Sequence, residues 1–177
     1  MVVTPEQFTH VGPGTPASVW RQHRSWAGGP PLTLEGVERL VAVGAHPDDE
    51  SLGAGGLIAA AREAGLPVEV VTATDGEGSH PDSPTTTGSQ LAALRVEELR
   101  VAAAELGVQE QHLHRLGAPD GDVEHAQGDL TRRIVDLVGD GRRTVIVAPW
   151  RGDGHPDHEA AGRAAAAAAR RTGARLW

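Results

Sequence analysis

Residues 46–50 place a histidine and three carboxylates within five positions: His46, Asp48, Asp49 and Glu50. Imidazole nitrogen and carboxylate oxygen are the ligands a borderline divalent metal such as zinc takes in the absence of thiolates, and the chain has no cysteine. His46 and Asp49 are three apart across a bend fixed by Pro47, so both can turn toward one point. Asp48, between them, faces another way, next to a metal rather than on it. The competing reading is structural: Asp48, Asp49 or Ser51 caps a helix while His46 bonds locally. A second cluster, Gly154-His-Pro-Asp-His158 with Glu159, weighs against two independent caps. A catalytic zinc takes three protein ligands and keeps one position open. His46, Asp49 and either His155 or His158 make that set.

Both clusters follow buried-strand runs and precede helical patterns. Residues 40–45 and 144–148 are short, apolar and largely β-branched, as strands covered on both faces are. Residues 52–64 and 159–171 then read as helices. In an open α/β sheet this junction, the C-terminal rim of parallel strands, is where ligands bind. The spacing predicts further strands at 67–74, 112–116 and 174–177, and helices at 89–106 and 129–138. The order predicts a three-layer α/β/α sandwich with a mainly parallel, Rossmann-like sheet. Its site lies between the first strand and the strand at 144–148.

The motif Ala45-His-Pro-Asp-Asp-Glu50, paired with the distant Gly154-His-Pro-Asp-His158, resembles the LmbE-like/PIG-L family of zinc-dependent N-acetylglucosamine deacetylases. Residues 74–78 (Thr-Asp-Gly-Glu-Gly) and 95–107 fit it too, and the resemblance runs from about residue 40 to the C-terminus. It implies one Zn2+ ion held by His46, Asp49 and His158, a set that also accepts other divalent transition metals such as iron, cobalt or manganese, with Asp48 as general base and His155 as the electrophilic or acid partner. It also implies that Arg95 faces the site and binds sugar hydroxyls; the modest alternative is a surface i,i+3 pair with Glu98. The reaction implied is removal of an N-acetyl group from an N-acetylglucosaminyl conjugate by metal-activated water. The alternative is a non-catalytic metal- or carbohydrate-binding Rossmann-like module. No tyrosine is present to assist the oxyanion.

Other polar residues carry two readings each. Glu77 touches a polar substrate or is a solvated turn carboxylate. Asp120 accepts from a sugar or belongs to an Asp-Gly turn. Asp157 orients His155 or His158 from behind, or caps a helix. His80 reads as an exposed loop residue, and His112 and His114 as a solvent-facing pair on one strand side.

Composition excludes several chemistries. All sixteen basic residues of the 177-residue chain are arginine, which removes Schiff-base lysines and the Walker-A lysine. The glycines at 53, 55 and 56 do not follow Gly-x-Gly-x-x-Gly, and the acids before them repel a pyrophosphate. A haloacid-dehalogenase-type phosphatase needs Asp-x-Asp after its first strand, where this chain has Asp48-Asp49. A net charge of −8 argues against a nucleic-acid surface. No apolar stretch reaches the eighteen residues of a membrane span, so a cytoplasmic protein acting on a small amino-sugar conjugate is expected. Residues 1–36 read as a Pro/Gly-punctuated extension holding one short helix, with Thr15 as its cap, Pro16 as its first residue, and Trp20 and Trp26 as anchors. Residues 37–177 read as the deacetylase domain, shortened at its C-terminus, with a sheet edge suited to homo-oligomer formation or a further domain.

Overall fold

The computed structural model describes residues 15–23 and 32–177. The chain divides between Glu35 and Gly36. In the first part, α1 spans Ala17–Gln22, and Pro16, extended at ψ 142°, holds the N-cap position. The helix thus starts one residue later than expected, and Thr15 does not cap it. Trp20 is 49% exposed. Trp26 and the Gly/Pro run at 28–31 lie outside the described residues.

The second part runs β1 Arg39–Gly44, α2 Asp49–Glu63, β2 Val68–Thr74, α3 Gly88–Glu105, β3 Leu113–Ala118, α4 Val123–Val138, β4 Thr144–Val147, α5 Pro156–Thr172 and β5 Arg175–Leu176. The strands form a parallel sheet in the order β3-β2-β1-β4-β5. Successive strands move outward from β1 to β3, then the chain crosses back to β4 on the other side. Right-handed crossovers place the helices of the two halves on opposite faces, giving the three-layer α/β/α sandwich. The direction reverses between β1 and β4, so the rim there is a switch point.

Helices α4 and α5 cover one face, burying Val41, Val43, Val71, Ala73 and Ile146 beneath Leu130, Ile134 and a row of alanines. Ala160, Ala161, Ala164, Ala165 and Ala168 are fully buried; short side chains let α5 lie close to the sheet. Gly162 allows the tightest approach: a Cβ there would lie 2.4 Å from the Pro149 carbonyl oxygen and 3.0 Å from Arg151 Cγ. Gly162→Ala is therefore expected to cost about 1–3 kcal/mol through overpacking. Urea denaturation reads this directly, and an unchanged midpoint would contradict it.

Three helices, α2, α4 and α5, begin earlier than their apolar periodicity indicates; α5 starts at Pro156 rather than at residue 159. α2 starts at Asp49, so Asp49 and Glu50 occupy its first turn, where the helix dipole favours negative charge. α4 starts at Val123, whose burial anchors a polar first turn and a half that contains Gly128. In α3, capped reciprocally by Thr87 and Gln90, the buried residues are Leu99 and Ala103; Leu94 is 53% exposed. His112 and His114 are not a free solvent-facing pair. Both rings bond Glu69 on β2, at 3.1 and 2.7 Å, and Arg133 of α4 donates to His114 Nδ1. The parallel register pairs Val71 with His114, so the side chains of that row point under α4, and His114 is 13% exposed. Among the described residues no helix is long and apolar enough to cross a membrane.

Candidate metal centre

The rim is built by the exit from β1. The Ala45 carbonyl is held by the backbone N–H and hydroxyl of Thr74 at the end of β2, at 2.9 and 3.0 Å. The chain then bends through Pro47 and enters α2, and Asp49 reaches back over the bend. Its Oδ2 accepts from the N–H groups of Ala45 and His46 at 2.7 and 3.0 Å. Its Oδ1 lies 3.4 Å from His158 Nε2. The second motif arrives from β4: Pro156 opens α5 with His155 at its N-cap. One turn holds His155 and His158 side by side, with centroids 4.5 Å apart and the rings stacked. Both rings come within 5.0–5.4 Å of His46.

The hydrogen bonds assign the tautomers. His46 Nε2 lies 3.2 Å from both Asp120 Oδ1 and Asp157 Oδ2. Carboxylates only accept, so this nitrogen carries the proton. His46 Nδ1, 3.9 Å from Asp49 Oδ2, is then the lone-pair side. By the same logic His158 Nδ1–H donates to Asp153 Oδ2 at 2.8 Å, and its Nε2 lone pair faces Asp49. Two imidazole lone pairs and a carboxylate thus converge. Such groups repel unless a cation, or an extra proton, lies between them. The outer nitrogens are held by carboxylates, as in metal-ligating histidines. His46, Asp49 and His158 therefore fit a divalent metal. Among the described residues, the sets whose ligand atoms all lie within 4.8 Å of one another are His46, His155 and His158, through ring nitrogens, and His46, Asp120 and Asp157, through a ring nitrogen and carboxylate oxygens; Asp49 enters neither set.

His155 differs. Its Nδ1 accepts from the Asp157 N–H at 3.2 Å, so the neutral ring carries its proton on Nε2, as a donor rather than a ligand. Burial, then the neighbouring His158 and His46 rings, push its proton affinity below the ordinary histidine value. For His46, burial opposes charge, but the Asp120 bond and the carboxylates of Asp49 and Asp157 outweigh it and raise the pKa. The same negative surroundings attract a metal cation, which competes with that proton. Asp120 is held below the usual carboxylate range, chiefly by its bond to His46, against its own burial.

Asp48 stands apart. It has φ 140°, and no other non-glycine among the described residues has a positive φ. Such a conformation costs on the order of 1–3 kcal/mol and clusters at functional sites. Arg95 Nη2 donates to its Oδ2 at 2.8 Å; Oδ1 has no protein partner among the described residues. A groove of about 440 Å³ opens beside Asp48 and Arg95, walled by Leu52, Leu91, Leu94 and Leu99. A cavity of about 210 Å³ lies on the other side of Glu50, against Asp49, His158 and Asp153.

The three residues expected to meet a sugar are engaged within the protein. Arg95 reaches Asp48 rather than Glu98. The Asp120 carboxylate takes His46 and the Gly78 N–H, and Glu77 Oε1 accepts from the Asp120 N–H at 2.8 Å. Asp157 does not orient the His155 or His158 ring with its carboxylate. At the start of α5 it turns back, 2% exposed, to accept from Gly121 and Val123 at the entry to α4, and it holds His46. The carboxylate behind His158 is Asp153, which sequence reasoning missed because Gly152-Asp-Gly154 reads only as a turn. Glu50, 2% exposed, was missed as well. His80 bonds Ser79 at the groove's edge.

Residues 41–169 match the profile of the family described as PIG-L, GlcNAc-PI de-N-acetylase. The chain is similar to the 1D-myo-inositol 2-acetamido-2-deoxy-alpha-D-glucopyranoside deacetylase of Mycobacterium sp. (strain KMS), at 37% identity over 169 residues covering 80% of this chain and 53% of that protein. The diacetylchitobiose deacetylase of Thermococcus kodakarensis is 31% identical over 129 residues, covering 71% and 47%. Among solved structures, the N,N'-diacetylchitobiose deacetylase from Pyrococcus horikoshii superposes with a TM-score of 0.67 at 26% identity, covering 77% of this chain and 51% of that one. The chain spans about half the length of the curated relatives it matches.

Proposed function

Because the chain belongs to the PIG-L family of GlcNAc-PI de-N-acetylases, we propose that it hydrolyses the acetamide of a small N-acetylglucosaminyl conjugate, releasing acetate and the free amine. One divalent metal ion, zinc by the family resemblance although a His/Asp/His set also accepts iron, cobalt or manganese, is held by His46, Asp49 and His158. The observation that carries this reading is the convergence of the His46 Nδ1 and His158 Nε2 lone pairs on Asp49. When bound, the ion lowers the pKa of its water and polarises the amide carbonyl.

The remaining work falls to side chains. Asp48, whose Oδ1 has no partner among the described residues, takes the proton of the attacking water and returns it to the leaving nitrogen. His155 donates its Nε2 proton in a hydrogen bond to the carbonyl oxygen as that oxygen gains charge. Asp120 and Asp157 fix the His46 ring through its Nε2–H, and Asp153 fixes His158. The groove beside Asp48 and Arg95 is the approach for the conjugate.

Free-amine release from N-acetylglucosaminyl conjugates, assayed on chelator-stripped and zinc-reloaded protein, tests the proposal. Activity is expected to vanish on stripping and return with zinc. Tight zinc binding without amine release from any conjugate would overturn it in favour of a metal-binding module.

A further inference from the structure

We propose that Glu50 is a positioning residue which, together with Arg95 seated on Gly76, clamps Asp48 in its strained backbone conformation and so fixes where its carboxylate stands. The consequence for turnover rests on Asp48 being the base; the clamp itself does not.

The clamp grips a single peptide unit. The carbonyl of Pro47 and the N–H of Asp48 belong to the same planar group and point in opposite directions. Arg95 Nη2 donates to the Pro47 oxygen at 2.5 Å. Glu50 Oε2 accepts from the Asp48 N–H at 3.2 Å. With both ends of the plane held, the peptide cannot rotate, and rotation is what would relax Asp48 from φ 140° into the allowed region. The same guanidinium nitrogen also holds the Asp48 carboxylate, 2.8 Å away.

Each jaw is itself fixed. Glu50 is 2% exposed, and its other oxygen accepts from the Ser51 hydroxyl at 2.7 Å. Arg95 lies across Gly76, where a Cβ would come within 2.7 Å of its Nε and 2.9 Å of its Cδ. Gly76 also has φ 73°, so a side chain there is disfavoured twice. A buried carboxylate, a guanidinium and a glycine seat thus act on the one peptide unit that leads into Asp48, the N-cap of α2.

The strain has a stability signature independent of activity. Where φ is negative, glycine is less stable than alanine, because its unfolded chain has more freedom. At position 48 the order is expected to invert, with Asp48→Gly melting about 2–8 °C above Asp48→Ala. In a Glu50→Met background, where one jaw is gone, alanine can relax and the gap should shrink or reverse. Equal melting of the two variants in the otherwise unchanged chain, or a gap indifferent to Glu50→Met, would overturn the clamp.

Turnover supplies the second arm. Glu50→Met is expected to lower kcat about 10–100-fold, with KM and zinc affinity each changed less than about threefold, since base placement alone is disturbed. Glu50→Gln, which keeps an acceptor oxygen, should recover most of the loss. Unchanged kcat in Glu50→Met, or a loss of zinc affinity matching the loss of rate, would overturn the positioning role. Absence of amine release by the unaltered protein would remove the deacetylase reading, while the melting comparison would still decide the clamp.

Discussion

His46→Ala is expected to lose the metal ion. This ring offers Nδ1 to the centre while its Nε2–H is held by two carboxylates at 3.2 Å, so its removal deletes a ligand and takes away the donor that Asp120 and Asp157 share, leaving each only its backbone N–H partners. The expected fall in zinc affinity exceeds the roughly 10–100-fold that follows from losing an outer partner of a ligand. Asp153→Asn, which alters the carboxylate behind His158 and leaves the ligands themselves in place, marks that smaller effect. Competition with a chromophoric chelator measures both, with the melting temperature as a check on folding. Retention of zinc by a folded His46→Ala protein would remove His46 from the ligand set.

Asp48→Asn is expected to behave in the opposite way, keeping zinc and losing turnover by about 10²–10⁴-fold, the usual contribution of general acid–base catalysis. Asparagine can still accept from Arg95, so the bend before α2 is preserved while the proton acceptor is gone. The informative result is the pair of measurements on one protein. If Asp48→Asn released the metal while folding normally, the assignments of ligand and base within Asp48-Asp49 would be exchanged.

The fold class, and the nearness of the two His-Pro-Asp bends to each other, were legible in the sequence for a local reason. His46, Asp48 and Asp49 share one bend, and His155 and His158 share one helical turn, so their relative directions follow from backbone geometry of a few residues. That both bends meet follows from parallel strands sharing a rim. The supports were not legible, because each depends on a distant approach. Asp120 and Asp157 meet at His46 only because the turn entering α4 packs on the start of α5, residues separated by more than thirty positions. Arg95 crosses to Pro47 and Asp48 from the middle of α3, over Gly76. Periodicity also failed where polar first turns begin helices, at Asp49, Val123 and Pro156, since those turns rest on acidic residues near the helix dipole, on the distant Asp157 carboxylate and on the His155 cap rather than on apolar spacing. Glu50 illustrates the same limit: an acid in an acidic stretch reads as solvated, yet its side chain is turned inward onto a backbone N–H.

The location of the ion tests the account most directly. Crystals of the protein soaked in zinc, with anomalous differences collected at the zinc edge, are expected to show one strong peak about 2.0–2.2 Å from His46 Nδ1, His158 Nε2 and an Asp49 oxygen. A peak on the far side of the His46 ring, among Nε2, Asp120 and Asp157, or no peak at all, would contradict it.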